Sequence, residues 1–230
     1  CAWRLNGAKT LNTIAASLWG KMAIGLEYLA RRSGPMSMAP SQLGAFAKSR
    51  ADLATPDLEY HVQPLSLEAF GEPLHDFPGM TASVCNLRPE SRGQVSIISP
   101  NAEDAPRIAP NYLATEGDRQ VAINAIKLTR RIMEQSPMQR YAPAEIKPGI
   151  EAQSDDDLAI VAGNIGTTIF HPVGTCKMGS DDWAVVDEKL RMRGLEGLRI
   201  VDASVMPKIV SGNTASPVVM IAEKAAAMLA

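Results

Sequence analysis

No segment of the sequence concentrates positive charge. Its 23 lysines and arginines are balanced by 25 aspartates and glutamates, which leaves a formal net charge of −2. Because phosphate binding depends on clustered basic side chains, a nucleic-acid partner is not expected. No apolar run reaches the roughly 20 residues that a transmembrane helix needs, so the sequence predicts no membrane span. The opening residues also lack the basic and apolar regions of a signal peptide.

Cysteine is scarce as well. Cys1, Cys85 and Cys176 lie far apart along the chain, and such an odd, sparse set argues against a disulfide framework. We therefore expect a reducing, cytoplasmic environment. Because the chain begins with Cys1 and not with Met, we also expect it to be a fragment or a processed chain.

What the sequence does contain is a hydrophobic fraction of 46%, enough for a substantial core. Apolar residues that recur every three or four positions predict helices over residues 11–30, 115–136 and 155–162. Runs rich in β-forming residues predict strands over residues 57–65, 82–88 and 94–99, with a hairpin joining the last two and loop over 100–110. The predicted fold is therefore α+β, with an antiparallel sheet flanked by helices over about residues 40–165.

The first candidate for chemistry is the run Phe170-His171-Pro172-Val173-Gly174-Thr175-Cys176. Pro172 favours an extended backbone at His171, and Gly174 lets the chain turn or approach a ligand. A histidine held in such a loop can act as an acid or a base, because imidazole changes charge near working pH. From these residues alone, a hydrogen bond to neighbouring backbone is the competing interpretation. No metal site is expected, since His171 and Cys176 are too few for four-coordinate zinc.

A second candidate lies at the end of a predicted buried strand over residues 198–201. The strand is followed by Asp202 and Ala203, where backbone amides can lie beside a ligand, as they do at the carboxyl ends of strands in open sheets. An ordinary strand followed by an Asx turn is an equally good interpretation of these residues.

A third candidate is the run Ser211-Gly212-Asn213-Thr214. It leads to Ser216 and Pro217, which are predicted to be the N-cap and the first residue of a final helix continuing over residues 218–230. A helix N-terminus presents amide donors that suit an anionic or carbonyl-bearing group. For this run alone, a plain capping loop is the default interpretation.

Together these runs resemble the glucose–methanol–choline oxidoreductase family, in particular its choline dehydrogenase-like branch. The resemblance lies in an ordered set: His-Pro-Val-Gly-Thr-Cys from His171, Leu-Arg-Ile-Val-Asp-Ala-Ser-Val-Met-Pro from Leu198, Ser-Gly-Asn-Thr from Ser211 and Met-Ile-Ala-Glu-Lys from Met220. Three upstream runs fit as well, so the resemblance covers nearly the whole chain: Thr10-Leu11-Asn12, Gly25-Leu26-Glu27-Tyr28-Leu29 and Leu87-Arg88-Pro89-Glu90-Ser91-Arg92-Gly93.

This resemblance implies an FAD-dependent enzyme that oxidises choline or another primary alcohol. His171 matches the family's active-site base toward the substrate hydroxyl, and Asn213 matches the second active-site position. The residues that match the family's FAD-contacting segments are Asp202, Ala203, Asn213, Thr214 and Pro217.

The family's Gly-x-Gly-x-x-Gly motif, which holds the FAD pyrophosphate, does not occur in these 230 residues. We therefore expect residues 1–165 to form the substrate-binding domain. Residues 166–230 are expected to form a C-terminal segment that carries the catalytic histidine and would complete an FAD-binding domain. By itself the chain is expected to bind FAD weakly or not at all, and the alternative is a non-catalytic module.

The resemblance is compatible with a dehydrogenase and with an oxidase. Choline recognition would need an aromatic or acidic cage, and aromatic residues make up only 5% of the chain. Tyr60 and His61 lie on a predicted strand that could face the substrate, but alternation places them on opposite faces, so at most one does so. Apolar surface shaped for an absent flavin domain predicts that the chain self-associates.

Overall fold

The computed structural model describes residues 1–39, 41–69 and 71–229. The chain divides into two compact units: the first comprises Cys1–Asn86 and Arg119–Gly166, and the second comprises Leu87–Asp118 and Thr167–Ala230. The chain passes from the first unit to the second after Gly166, next to the domain boundary predicted at residue 165. Residues 87–118, which the sequence analysis assigned to the first domain, belong to the second unit.

Strands and helices both contribute to the structure. The strands are β1 (Ala2–Arg4), β2 (Leu43–Ala47), β3 (Leu58–Gln63), β4 (Gly79–Asn86), β5 (Gln94–Ser96), β6 (Arg107–Ala109) and β7 (Ala144–Lys147). The helices are α1 (Leu11–Ile14), α2 (Leu18–Arg31), α3 (Glu116–Met133), α4 (Ser136–Gln139), α5 (Asp155–Ile165) and α6 (Ala215–Ala227). Of these described helices, none combines the length and apolar character needed to span a bilayer.

The first unit is built on a five-stranded sheet in the order β2-β3-β4-β1-β7, in which every neighbouring pair is antiparallel. Helix α3 packs on one face of this sheet through Ala125 and Met133. The buried residues of this cluster are Trp3, Leu5, Leu58, Tyr60, Ala82, Ala125 and Met133. The predicted α+β class, with an antiparallel sheet flanked by helices, is thus confirmed.

Alternation along β3 separates a core face from a polar face. Leu58 and Tyr60 lie in the core beneath α3, where the Tyr60 hydroxyl shares a hydrogen bond of 3.0 Å with Thr129 Oγ1. Glu59 and His61 lie on the opposite face, because successive residues of a strand point to opposite sides. Tyr60 and His61 therefore face in opposite directions, as the alternation predicts.

Arg130 fastens α3 to β7. Its Nη2 and Nε atoms donate to the two carboxylate oxygens of Glu145 at 2.8 and 2.9 Å, and the guanidinium also donates to the carbonyl oxygens of Gly149 and Ala152. The two paired side chains are only 17% and 8% exposed. Such a bidentate pair fixes the position of the helix along the edge strand.

The single helix predicted over residues 11–30 is wrong in two respects. The helix is interrupted, because Ser17 has an extended backbone and its Oγ accepts the amide of Gly20 at 3.0 Å, which makes Ser17 the N-cap of α2. The apolar side of α2 is also exposed where the periodicity predicts burial. This α2 apolar face consists of Leu18, Trp19, Met22, Leu26 and Leu29.

The hairpin predicted between residues 82–88 and 94–99 is also wrong. β4 ends at Asn86, and β5 instead pairs with β6 in a separate two-stranded sheet of the second unit. Gly93 permits this pairing, because a Cβ there would lie 2.2 Å from the carbonyl oxygen of Ala109. β6 falls within residues 100–110, which were predicted to be loop.

The end of the second unit differs from prediction as well. Residues 198–201 form no strand, because they find a partner only at an isolated bridge between Arg191 and Arg199. The last helix begins at Ala215 and not at Pro217, because the Thr214 carbonyl already accepts the amide of Val218 at 3.0 Å. Ala230, its predicted end, lies outside the described residues.

Candidate active site

His171 follows a residue with an uncommon backbone conformation. Phe170 has a φ of 63°, in the left-handed region that a bulky residue rarely adopts. Its amide donates to Thr168 Oγ1 at 2.9 Å, and Gly174, with a φ of 89°, turns the chain again. A left-handed residue of this kind costs on the order of 1–3 kcal/mol, and such strain is found most often at functional sites.

The His171 side chain is half-buried and is hydrogen-bonded to Thr214. The distance between His171 Nδ1 and Thr214 Oγ1 is 3.0 Å, and Thr214 is buried. With Nδ1 engaged, Nε2 is the ring nitrogen that can exchange a proton with another molecule. The bond therefore orients the imidazole and joins the first sequence motif to the third.

Backbone hydrogen bonds join the first motif to the second. The amide of Cys176 donates to the Ser204 carbonyl at 3.0 Å, and the amide of Met178 donates to the Val205 carbonyl at 2.8 Å. Val205 is fully buried among the side chains of this unit's core, which are Val186, Leu190, Val205, Met206, Ile221 and Ala225. The loop that carries His171 is thus anchored to the buried core of the second unit.

Asp202 fixes a short 3-10 turn over Ala203–Val205. Its Oδ1 accepts the amide of Ser204 at 2.8 Å and the Ser204 hydroxyl at 2.5 Å. This is the Asx turn that the sequence left open as an alternative, and the Asp202 side chain is exposed. Asp202 and Ala203 therefore lie in a hydrogen-bonded turn next to the loop that carries His171.

The N-terminus of α6 carries the remaining candidates. Thr214 is the N-cap residue, but its side chain makes no capping hydrogen bond, since its hydroxyl is bonded to His171. Asn213 precedes it and is exposed, and Pro217 lies in the first turn of the helix. All the candidate residues of the three motifs therefore belong to the second unit, where His171 and Thr214 are in direct contact.

Sequence reasoning missed two supports of this unit. The Arg88 Nε donates to Ser211 Oγ at 3.1 Å, which connects the upstream Leu-Arg-Pro run to the third motif. The Asp118 carboxylate accepts the amide of Glu90 at 3.0 Å and both the amide and the hydroxyl of Ser91, at 2.7 and 2.5 Å. The long sequence separations concealed both, although the polar residues of the run were visible.

A separate polar group, also missed, lies on the first unit's sheet. Glu59, His61 and Cys85 have potential ligand atoms within 4.8 Å of one another. Burial raises the pKa of the Cys85 thiol to about 11, and the charge of Glu59 acts in the same direction. Within residues 1–39, 41–69 and 71–229, this group alone could hold a metal ion through three such side chains, and it includes neither His171 nor Cys176.

Comparison with known proteins gives a consistent picture. A family model described as GMC oxidoreductase matches residues 89–222, more than half of the chain. The oxygen-dependent choline dehydrogenase of Escherichia coli O45:K1 is 40% identical over 215 residues, which cover 94% of this chain and 38% of the relative. That of Klebsiella pneumoniae is 42% identical over 212 residues, which cover 92% of this chain and 38% of the relative.

Solved structures share the fold. Pyridoxine 4-oxidase from Mesorbium loti has a TM-score of 0.74 at 28% identity, with 84% of this chain and 38% of that chain covered. Formate oxidase from Aspergillus oryzae RIB40, as the R554A variant, has a TM-score of 0.89 at 23% identity, with 99% and 44% covered; at that identity the likeness concerns the fold alone. This chain thus spans 38% of each of the two choline dehydrogenases and of pyridoxine 4-oxidase, and 44% of formate oxidase.

Proposed function

We propose, from the premise that the chain belongs to the GMC oxidoreductase family, that it is the catalytic C-terminal portion of an FAD-dependent alcohol oxidoreductase. The substrate we propose is choline or another primary alcohol, in line with the choline dehydrogenases that are 40% and 42% identical. The observation that carries the proposal is the hydrogen bond between His171 and Thr214, because it orients an imidazole where the first and third motifs meet.

His171 is the base of the proposed reaction. Its Nε2 accepts the hydroxyl proton of the alcohol, which requires that Nδ1 carry the ring hydrogen and donate it to Thr214 Oγ1. Thr214 Oγ1 can accept the hydrogen bond of Nδ1 in this tautomer, and the contact orients the ring. A base within hydrogen-bond reach of the hydroxyl contributes about 10²–10⁴-fold to such a rate.

Asn213 is the second active-site residue of the proposal. It is exposed and immediately precedes the residue that holds His171. Its amide group can donate a hydrogen bond to the substrate oxygen while negative charge builds there. We therefore assign to Asn213 the orientation of the alcohol and to His171 the removal of its proton.

Bound FAD supplies the hydride acceptor for this chemistry. The residues that would hold it are Asp202, Ala203, Asn213, Thr214 and Pro217. The arrangement suits an anionic, hydrogen-bonding group, because the N-cap side chain of α6 makes no capping bond to the amides of the first turn. The exposed turn at Asp202, fixed by Ser204, adds a second rigid contact surface.

The proposal is tested in a chimera in which this chain replaces the matched segment of the Escherichia coli relative. We expect choline or another primary alcohol to reduce the bound flavin under anaerobic conditions, with the methyl ether of the same alcohol, which lacks the hydroxyl proton, as an unreactive control. Comparing oxygen consumption with reduction of an artificial acceptor then distinguishes an oxidase from a dehydrogenase. A chimera that holds flavin but is reduced by no alcohol would contradict the proposal.

For the 230-residue chain alone, we propose that FAD binding is weak and turnover absent, because no Gly-x-Gly-x-x-Gly motif occurs in it. A cytoplasmic location also stays a prediction, and it is supported by three cysteines that are all free thiols.

A further inference from the structure

The sheet of the first unit carries three side chains that the proposed function does not use. Glu59 and His61 are two positions apart on β3 and so share one face. The strand register places Cys85 of β4 directly opposite Glu59. A carboxylate, an imidazole and a thiol thus converge on the side of the sheet opposite the Tyr60 core.

The distances within this group suit a small cation. All three ligand atoms lie within 4.8 Å of one another, and His61 Nε2 lies 3.7 Å from Glu59 Oε1. Tetrahedral zinc, with bonds of about 2.0–2.3 Å, separates its ligand atoms by roughly 3.3–3.8 Å. The histidine and carboxylate already have this spacing, and the thiol lies within 4.8 Å of both.

The group also contains an unmet hydrogen-bonding requirement. His61 Nε2 is buried and makes no hydrogen bond, and the Glu59 carboxylate, at 3.7 Å, is too distant to accept one. A buried polar atom without a hydrogen bond is uncommon in folded proteins and calls for a specific cause. The Cys85 thiol lies beside β3, since its Sγ donates to the carbonyl of Glu59 at 3.6 Å.

We propose that Glu59, His61 and Cys85 form a binding site for a divalent transition metal ion, with Zn²⁺ as the best match to the donor set. Sulfur and imidazole nitrogen exclude Ca²⁺ and Mg²⁺, which prefer oxygen ligands. Three protein ligands leave the fourth tetrahedral position to water or to an added ligand.

Ion binding at this site includes a proton transfer. The Cys85 thiol is protonated without the ion, so binding breaks its S–H bond, forms the S–metal bond and releases the proton to solvent. The site lies wholly on β3 and β4 of the first unit, and metal binding can be measured without the reaction proposed for His171.

The test uses the 230-residue chain carrying Cys1→Ser and Cys176→Ser, so that Cys85 is the only cysteine. Titration with Co²⁺ should produce a thiolate-to-metal charge-transfer band whose intensity saturates at one equivalent of Co²⁺. One equivalent of Zn²⁺ should then abolish the band. His61→Ala should weaken binding by more than about 10- to 100-fold, the loss caused by removing an outer-shell partner. The matched control His75→Gln should bind as the parent does.

X-ray absorption of the Zn²⁺-loaded parent keeps the result decisive if His61→Ala fails to fold. We expect one sulfur at about 2.3 Å and nitrogen or oxygen atoms at about 2.0–2.2 Å. A shell without sulfur, the absence of a charge-transfer band, or equal loss of binding in His75→Gln would each overturn the proposal.

Discussion

Thr214 has two possible uses for one hydroxyl, and the structure shows which one it adopts. As the N-cap of α6 it could bond the helix amides, but its hydroxyl is bonded to His171 instead. In the chimera, Thr214→Val should therefore lower the rate of flavin reduction by part of the about 10²–10⁴-fold that a base supplies. The binding constant for the alcohol should change little, and the pH profile of the rate should shift.

Thr214→Ser is the matched control for this prediction. It keeps the hydroxyl and should restore most of the rate. If the alcohol reduces the flavin equally fast in the Thr214→Val and Thr214→Ser variants, Thr214 does not position the histidine.

Asp118 provides a prediction about stability. Burial acts to raise the pKa of its carboxyl, but hydrogen bonds from the hydroxyl and amide of Ser91 and the amide of Glu90 outweigh it, and the net pKa is lowered. The carboxylate therefore stabilises the fold above its ordinary pKa of 3.8, and this contribution is lost as pH falls through the lower, folded value. Asp118→Asn should cost about 1.5–3 kcal/mol at pH 7.

The measurement is the free energy of unfolding from urea denaturation at pH 7 and at successively lower pH. The Asp118→Asn variant and the parent should converge in acid. Asp182→Asn, at an exposed position in the same unit, is the control and should change little. A deficit of the Asp118→Asn variant that persists unchanged in acid would contradict the charge-based explanation.

At the scale of elements, sequence reasoning succeeded where the pattern was local. The strands at residues 58–63 and 79–86 follow from runs rich in β-forming residues, and helices α3 and α5 follow from the periodicity of apolar residues. The predicted hairpin at residues 82–99 is wrong because strand pairing depends on contacts between distant residues, which the turn residues do not determine. The site motifs were likewise recognised, but the bond between His171 and Thr214 spans 43 positions and needed coordinates.

The pair between Arg130 and Glu145 leads to a prediction about how α3 is held. Arg130→Ala leaves a carboxylate that is only 8% exposed without its partner, so the variant should lose about 3–5 kcal/mol of unfolding free energy. The double variant with Glu145→Gln should recover part of that loss. If the double variant instead lost the sum of the losses of the two single variants in a double-mutant cycle, the pair would not be coupled.

The α2 apolar face predicts how the chain behaves in concentrated solution. Exposed apolar side chains on one side of a helix promote association. The chain should therefore self-associate in sedimentation velocity as its concentration rises, and Leu18→Lys with Leu26→Lys should reduce this. Ala51→Lys with Ala114→Lys, which adds the same charge at exposed positions outside α2, should not. A chain that stays strictly monomeric would contradict this prediction.

At the scale of the whole molecule, the chain covers 38% of the choline dehydrogenases that it resembles. Titrating FAD into the 230-residue chain and following flavin absorbance should give weak binding without turnover. Tight binding with turnover would show that a complete cofactor site forms without a glycine-rich pyrophosphate loop.

The central claim is that His171 removes the hydroxyl proton of an alcohol. The most direct measurement is anaerobic stopped-flow reduction of the flavin by choline in the chimera, comparing His171→Ala with Lys177→Ala, a change in the same loop at a side chain bonded to Asp181. We predict that His171→Ala slows reduction by about 10²–10⁴-fold while the flavin stays bound and Lys177→Ala reacts as the parent does. Undiminished flavin reduction by the His171→Ala chimera would contradict the account.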